Sequence, residues 1–161
     1  MKLFFLAKTL LLSVIGALIL SGSALAFTDL NGEKTTIEAE VGNGKWTVVE
    51  IWAADCHACR MHMPEMVDFD GKVKDLRIVG ISLDGQAGKA DAKSMIKEYG
   101  IPFKTILSNP IEVNAWMEVT AEEGLIGTPT FMIFDPEGKL VALQPGIISV
   151  AAIEKFVRSR S

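Results

Sequence analysis

The stretch VVEIWAADCHACRMHMPEM, residues 48–66, decides how this chain is read. It holds both cysteines, Cys56 and Cys59, separated by two residues. A β-branched apolar run precedes them. An apolar pattern of helical period follows, from about Cys59 through Met63, Met66, Val67 and Phe69. A thiol at a strand-to-helix junction faces unsatisfied helix N–H groups and the positive end of the helix dipole. Both favour the thiolate, which is the nucleophile. The placement predicts an exposed Cys56 at the helix mouth as attacking thiol, with Cys59 one turn in, more buried, as the resolving thiol. A purely structural disulfide explains the pair poorly, because so short a loop removes little unfolded-state entropy.

The first residues bear on destination. Lys2 and Lys8 flank the start, Thr9 to Leu20 is almost wholly apolar, and Ala24-Leu25-Ala26 offers small residues around a cleavage point. This is the anatomy of a secretory signal peptide over residues 1–26, cut after Ala26. An uncleaved anchor is the alternative, but the run from Leu10 falls short of the about 20 apolar residues that span a bilayer. No cysteine follows the run, which excludes a lipid on a new N-terminal cysteine. Cleavage leaves one domain, residues 27–161, of 135 residues with 14 basic against 20 acidic side chains. A chain this acidic carries no electrostatic footprint for nucleic acid.

Strand patterns fall at Thr35–Ile37, Trp46–Trp52, Leu76–Leu83, Thr105–Leu107, Thr130–Phe134 and Lys139–Leu143, the last two forming a hairpin around DPEG. Helical patterns follow Cys59, span Lys89–Tyr99 before Gly100, span Glu112–Val119, and run from a Ser149 cap to about Arg158. Trp116 reads as core. The order predicts an α/β fold with a mixed central sheet flanked by helices on both faces.

Residues 52–66, WAADCHACRMHMPEM, resemble the active site of the thioredoxin-like fold, in particular the TlpA/ResA/CcmG group of exported thiol–disulfide oxidoreductases. Trp52, Ala53, Cys56, Cys59, Arg60, Met63 and Pro64 match that group's W-A-x-W-C-x-x-C-R-x-E-M-P run, and GTPTFMIFDPEGK at 127–139 is similar to its second hallmark. The resemblance implies that Pro129 is a cis-proline beside the cysteines, with Thr128 and Trp52 bordering a partner's peptide. It implies that Glu50, six residues before Cys56, is a buried acid relaying a proton to or from Cys59; an edge position facing solvent is the alternative. Pro64 is expected to kink the active-site helix. The implied activity is reduction of specific periplasmic protein disulfides, such as apocytochrome c thiols, with no cofactor and with recharging by a DsbD/CcdA-type membrane thiol transporter.

Two residues depart from the pattern or modify it. Asp55 stands where the group commonly has an aromatic, and a negative neighbour disfavours the Cys56 thiolate. His57, when protonated, favours it. These redox-tuning residues oppose each other, so a thiol oxidase or disulfide isomerase remains the alternative on the same scaffold. A Cu(I)-handling protein is the alternative of another class, since His57, His62, Met61, Met63 and Met66 surround the thiols in sequence. No third ligand lies outside the motif for it. Peroxiredoxin chemistry is set aside, because Cys56 follows Ala-Ala-Asp rather than a T-x-x-C setting.

Overall fold

The computed structural model describes residues 27–160. The expected signal peptide, residues 1–26, lies outside the described residues. Seven strands and four helices follow one another as β1 (Phe27–Asp29), β2 (Lys34–Thr35), β3 (Trp46–Trp52), α1 (His57–Phe69), β4 (Leu76–Ser82), α2 (Lys89–Tyr99), β5 (Lys104–Leu107), α3 (Pro110–Ala121), β6 (Thr130–Phe134), β7 (Leu140–Pro145) and α4 (Val150–Arg158). The strands form one sheet in the order β2-β1-β5-β4-β3-β6-β7. The central β3 lies parallel to β4 and antiparallel to β6. This is the α/β mixed sheet expected.

Residue parity in the strands sorts the core into two layers, because side chains alternate across a sheet. Val48 and Trp52 of β3, Ile78 of β4, Phe103 just ahead of β5, Leu107 of β5 and Phe131 of β6 bury one face. They pack with Cys59, Met63 and Met66 of α1, Ala92 and Met95 of α2, and Ile153 and Val157 of α4. Val49, Ile51, Val79, Ile81 and Ile106 bury the other face, with Phe27, Ile37 and Val113, Trp116 and Met117 of α3. Trp116 is core, as expected, and donates its indole N–H to Glu38.

Several boundaries differ from the sequence pattern for local reasons. The second strand is Lys34–Thr35, and Ile37 leaves the sheet to enter the α3-side core. The pattern gave no sign of β1, whose register with β5 pairs Thr28 with Leu107. Helix α3 begins at Pro110 because Asn109 Oδ1 accepts from the amides of Ile111 and Glu112, and proline at the first helical position loses no hydrogen bond. Helix α2 ends as expected, at Gly100 with φ of 63°. At the far end of the sheet, Gly42 (φ +71°) lies against Gly138, where an added Cβ would stand 2.8 Å from the Gly138 nitrogen. Only glycine fits that approach.

Candidate active site

The site is built where β3 ends. All seven residues of β3 are buried, so the strand delivers its last residue to the mouth of the fold from a rigid base. Residues 53–56 then turn into α1, with the Cys56 amide donating to Ala53 O at 3.1 Å. Cys56 is the N-cap of α1, and its Sγ accepts from the Cys59 amide at 3.1 Å. The same two residues form a disulfide, their Cα atoms 5.3 Å apart. Helix α1 therefore starts at His57, two residues earlier than the apolar pattern marked. Cys59 is wholly buried, and Cys56 is half-buried rather than fully exposed.

The turn is held from two sides. Asp84, just past β4, accepts the Ala54 amide with both carboxylate oxygens at 3.1 and 3.2 Å, and is itself held by the Ser82 hydroxyl at 2.6 Å. Arg60 Nη1 donates to Ala54 O at 3.4 Å, while Nη2 reaches both oxygens of Glu98 on α2 at 2.7 Å and the guanidinium lies over the Tyr99 ring. The Glu98 partnership raises Arg60 further above its ordinary value. Sequence reasoning missed Asp84. Its signal was available: β3 and β4 run parallel in register, Trp52 opposite Ser82, so residue 84 falls beside residue 54.

Glu50 occupies the middle of β3, opposite Gly80 of β4 and Phe131 of β6. It is 0% exposed, on the α1 side of the sheet by parity with Val48 and Trp52, the same side as Cys59. The solvent-facing alternative is thereby excluded. Among the described residues no group hydrogen-bonds either carboxylate oxygen. Removal from water disfavours the ionised form and pushes Glu50 up to about 8.

Thr128 and Pro129 are joined by a cis peptide bond, and Pro129 immediately precedes β6. Since Thr130 pairs with Ile51, Pro129 lies level with the end of β3, where the cysteine turn begins. Thr128 is half-buried, the Pro129 carbonyl accepts from Gly146, and Thr130 Oγ1 donates to Gly127 O at 2.7 Å. Trp52 departs from the expectation. It is 0% exposed, facing the core as the last residue of a fully buried strand, and presents no surface to a partner. Asp55 and His57 are both exposed on either side of Cys56.

Helix α1 runs on through Pro64 to Phe69. A proline there gives the Arg60 carbonyl no amide donor one turn later. The soft-ligand residues around the thiols are scattered: Met63 and Met66 are wholly buried, Met61 is 68% exposed, and His62 is buried edge-on to the Phe131 ring. Burial holds His62 below its ordinary value. Among the described residues no group of three or more His, Cys, Asp or Glu side chains is gathered to hold a metal.

A redox-active cysteine pair at the N-cap of a helix, on a sheet of this topology, defines a thioredoxin-like thiol–disulfide oxidoreductase. The chain belongs to the AhpC/TSA family, which residues 21–143 match. Among named relatives, it is 27% identical over 131 residues to the thiol-disulfide oxidoreductase ResA of Bacillus thuringiensis subsp. konkukian, covering 81% of this chain and 71% of the relative. It is 27% identical over 135 residues to the thiol-disulfide oxidoreductase YkuV of Bacillus subtilis, covering 80% and 89%. The thioredoxin domain of a thiol-disulfide oxidoreductase from Bacteroides vulgatus superposes with a TM-score of 0.65 at 27% identity, covering 82% of this chain and 91% of that one.

Proposed function

We propose that the chain is an exported, periplasmic reductant of specific protein disulfides, maintained in its dithiol form by a membrane thiol transporter of the DsbD/CcdA type. The observation that carries the reading is the pairing of a half-buried Cys56 at the helix cap with a wholly buried Cys59 over the sheet face that holds Glu50. In the reductive direction, the Cys56 thiolate attacks one sulfur of the client disulfide and forms a mixed disulfide, expelling one client thiolate. Glu50, in its ionised form, takes the Cys59 thiol proton. The Cys59 thiolate then attacks Cys56 Sγ, closing the Cys56–Cys59 disulfide and releasing the second client thiolate. Two electrons have passed to the client, and two protons complete its thiols. The transporter restores the dithiol by the same exchange in reverse, so no cofactor takes part.

Thr128, half-buried beside the buried Pro129 and level with the end of β3, borders the path of an extended client segment; cytochrome c precursors, with their paired thiols, are a client class of fitting chemistry. Residues 1–26 serve as the export signal, cut after Ala26, and residues 27–161 form the working domain. Among the described residues no helix is long and apolar enough to cross a membrane. The deciding measurement is the reduction potential of the Cys56–Cys59 pair against glutathione buffers. A value near thioredoxin's roughly −270 mV supports the reductant, while one near DsbA's roughly −120 mV refutes it in favour of an oxidase.

A further inference from the structure

Glu50 is not the only buried polar side chain on its face that lacks a partner. Among the described residues the Trp52 indole N–H and the Thr105 hydroxyl are likewise buried without a hydrogen bond, at 0% and 3% exposure. The three come from different strands or different levels of one strand, yet the sheet register draws them together. Phe131, Glu50, Gly80 and Thr105 form one row across β6, β3, β4 and β5. Their side chains share a face, because Phe131 of β6, Leu107 of β5 and Phe103 just ahead of β5, two residues either side of Thr105, all join the α1-side core.

Gly80 is the gap in that row. A Cβ there would stand 2.8 Å from Trp52 Nε1 and 3.0 Å from Thr105 Oγ1, so both polar atoms already lean over the β4 backbone. Strands lie about 4.8 Å apart. A glutamate extended across one bare strand and a hydroxyl reaching back from the next close most of the distance between them. The inventory is complementary: one carboxylate that only accepts when ionised, one indole that only donates, and one hydroxyl that donates. Leaving all three unpaired in a dry core costs free energy at each.

We propose that the Trp52 N–H and the Thr105 O–H are the hydrogen-bond donors of the ionised Glu50 carboxylate, reaching it over Gly80 through a bridging water. They act as positioning residues: they hold the charged form of the acid where the described buried core offers no cation. On taking a proton from Cys59 the carboxyl weakens these bonds from charge-assisted to neutral, and on losing it they regain their strength. The catalytic meaning rests on the relay proposed above; the contact itself does not. Cys56 and Cys59 are joined in the oxidised protein and do not titrate; the other titratable groups packed on this face are His62 from α1 and Tyr99 from α2, while α4 meets it with Ile153 and Val157 and β6 with Phe131 and Ile133.

The test is the infrared carboxylic acid band of Glu50 in the full-length oxidised protein, titrated from pH 5 to 10 with Glu50→Gln as the blank. Thr105→Val keeps the side-chain shape and deletes the hydroxyl; Thr105→Ala is a second hydroxyl-free variant, and Thr105→Ser restores the donor. Loss of one charge-assisted bond moves the Glu50 midpoint up by about 0.5 to 1 pH unit, and Thr105→Ser returns it. Coincident midpoints in Thr105→Val, Thr105→Ala and the parent overturn the proposal. The rate of the resolving step, measured by stopped flow on the same variants, separates this from the relay. A midpoint that moves while that rate stays fixed upholds the donors and removes the relay. A rate that falls while the midpoint stays fixed removes the donors alone.

Discussion

Replacing Glu50 by Gln should abolish a steep pH dependence of stability. In the unfolded chain the carboxyl titrates near its ordinary value of 4.5, and in the folded protein burial holds it up to about 8. Between those values the folded state binds one proton that the unfolded state has released. Stability is therefore fully present below the unfolded value and is lost as pH rises toward the folded one, at about 1.4 kcal/mol per pH unit. Over the whole window the loss has a ceiling of about 5 kcal/mol, a large share of a typical domain's total of about 5–15 kcal/mol. Any donors to the ionised carboxylate shorten the window from its upper end. The assay is urea unfolding of oxidised parent and Glu50→Gln protein at intervals from pH 5.5 to 7.5, followed by tryptophan fluorescence. His62, held below its ordinary value, works with the opposite sign: its contribution grows as pH rises toward 6.5. It acts equally in both proteins and drops out of the difference. Gln carries its own burial cost, which offsets the curves without tilting them. A difference in slope under about 0.4 kcal/mol per pH unit would show that Glu50 is not a buried, protonated acid.

Cys59→Ser should accumulate mixed disulfides through Cys56, seen as reducible high-mass bands on non-reducing gels, whereas Cys56→Ser should accumulate few. Gly42→Ala forces a Cβ onto the Gly138 backbone at a positive φ and should cost about 2 kcal/mol or more in urea unfolding; Gly100→Ala, also at positive φ but in open space, should cost about 1 kcal/mol. Asp84→Ala strips the acceptor from the Ala54 amide and should lower stability by about 2 kcal/mol. Arg60→Ala should cost about 1 kcal/mol or less by the same measurement, because its pair with Glu98 is partly exposed.

What the sequence made legible was whatever short-range chemistry governs. Strand β3 shows as a β-branched run, α2 as a periodic segment stopped by a glycine, and the cysteine pair as a junction motif, all within a few residues of one another. What it concealed depends on partners far along the chain. Strand β1 is three residues long and exists because β5, nearly eighty residues later, accepts it. The Asp84 bond to Ala54 spans 30 residues and follows only from knowing that β3 and β4 are parallel neighbours. Trp52 was misplaced because a motif residue beside two reactive thiols invites a surface role. Strand alternation alone could not reveal that β6, β4 and the helices seal β3 over its full length. Helix α1 starts early because a cysteine side chain serves as its cap, a function that apolar periodicity does not register.

The Cys56 sulfur, which receives the Cys59 amide, makes the protein its own indicator. Thiolate, disulfide and mixed disulfide differ in charge and basicity, so each is a different hydrogen-bond acceptor for that one N–H. Every exchange of covalent partner at residue 56 is thereby reported on the first turn of α1. A single nitrogen-15 resonance at Cys59 should step through three distinguishable positions as clients come and go, giving a clock for the cycle that asks for no dye, no tag and no knowledge of which client was bound.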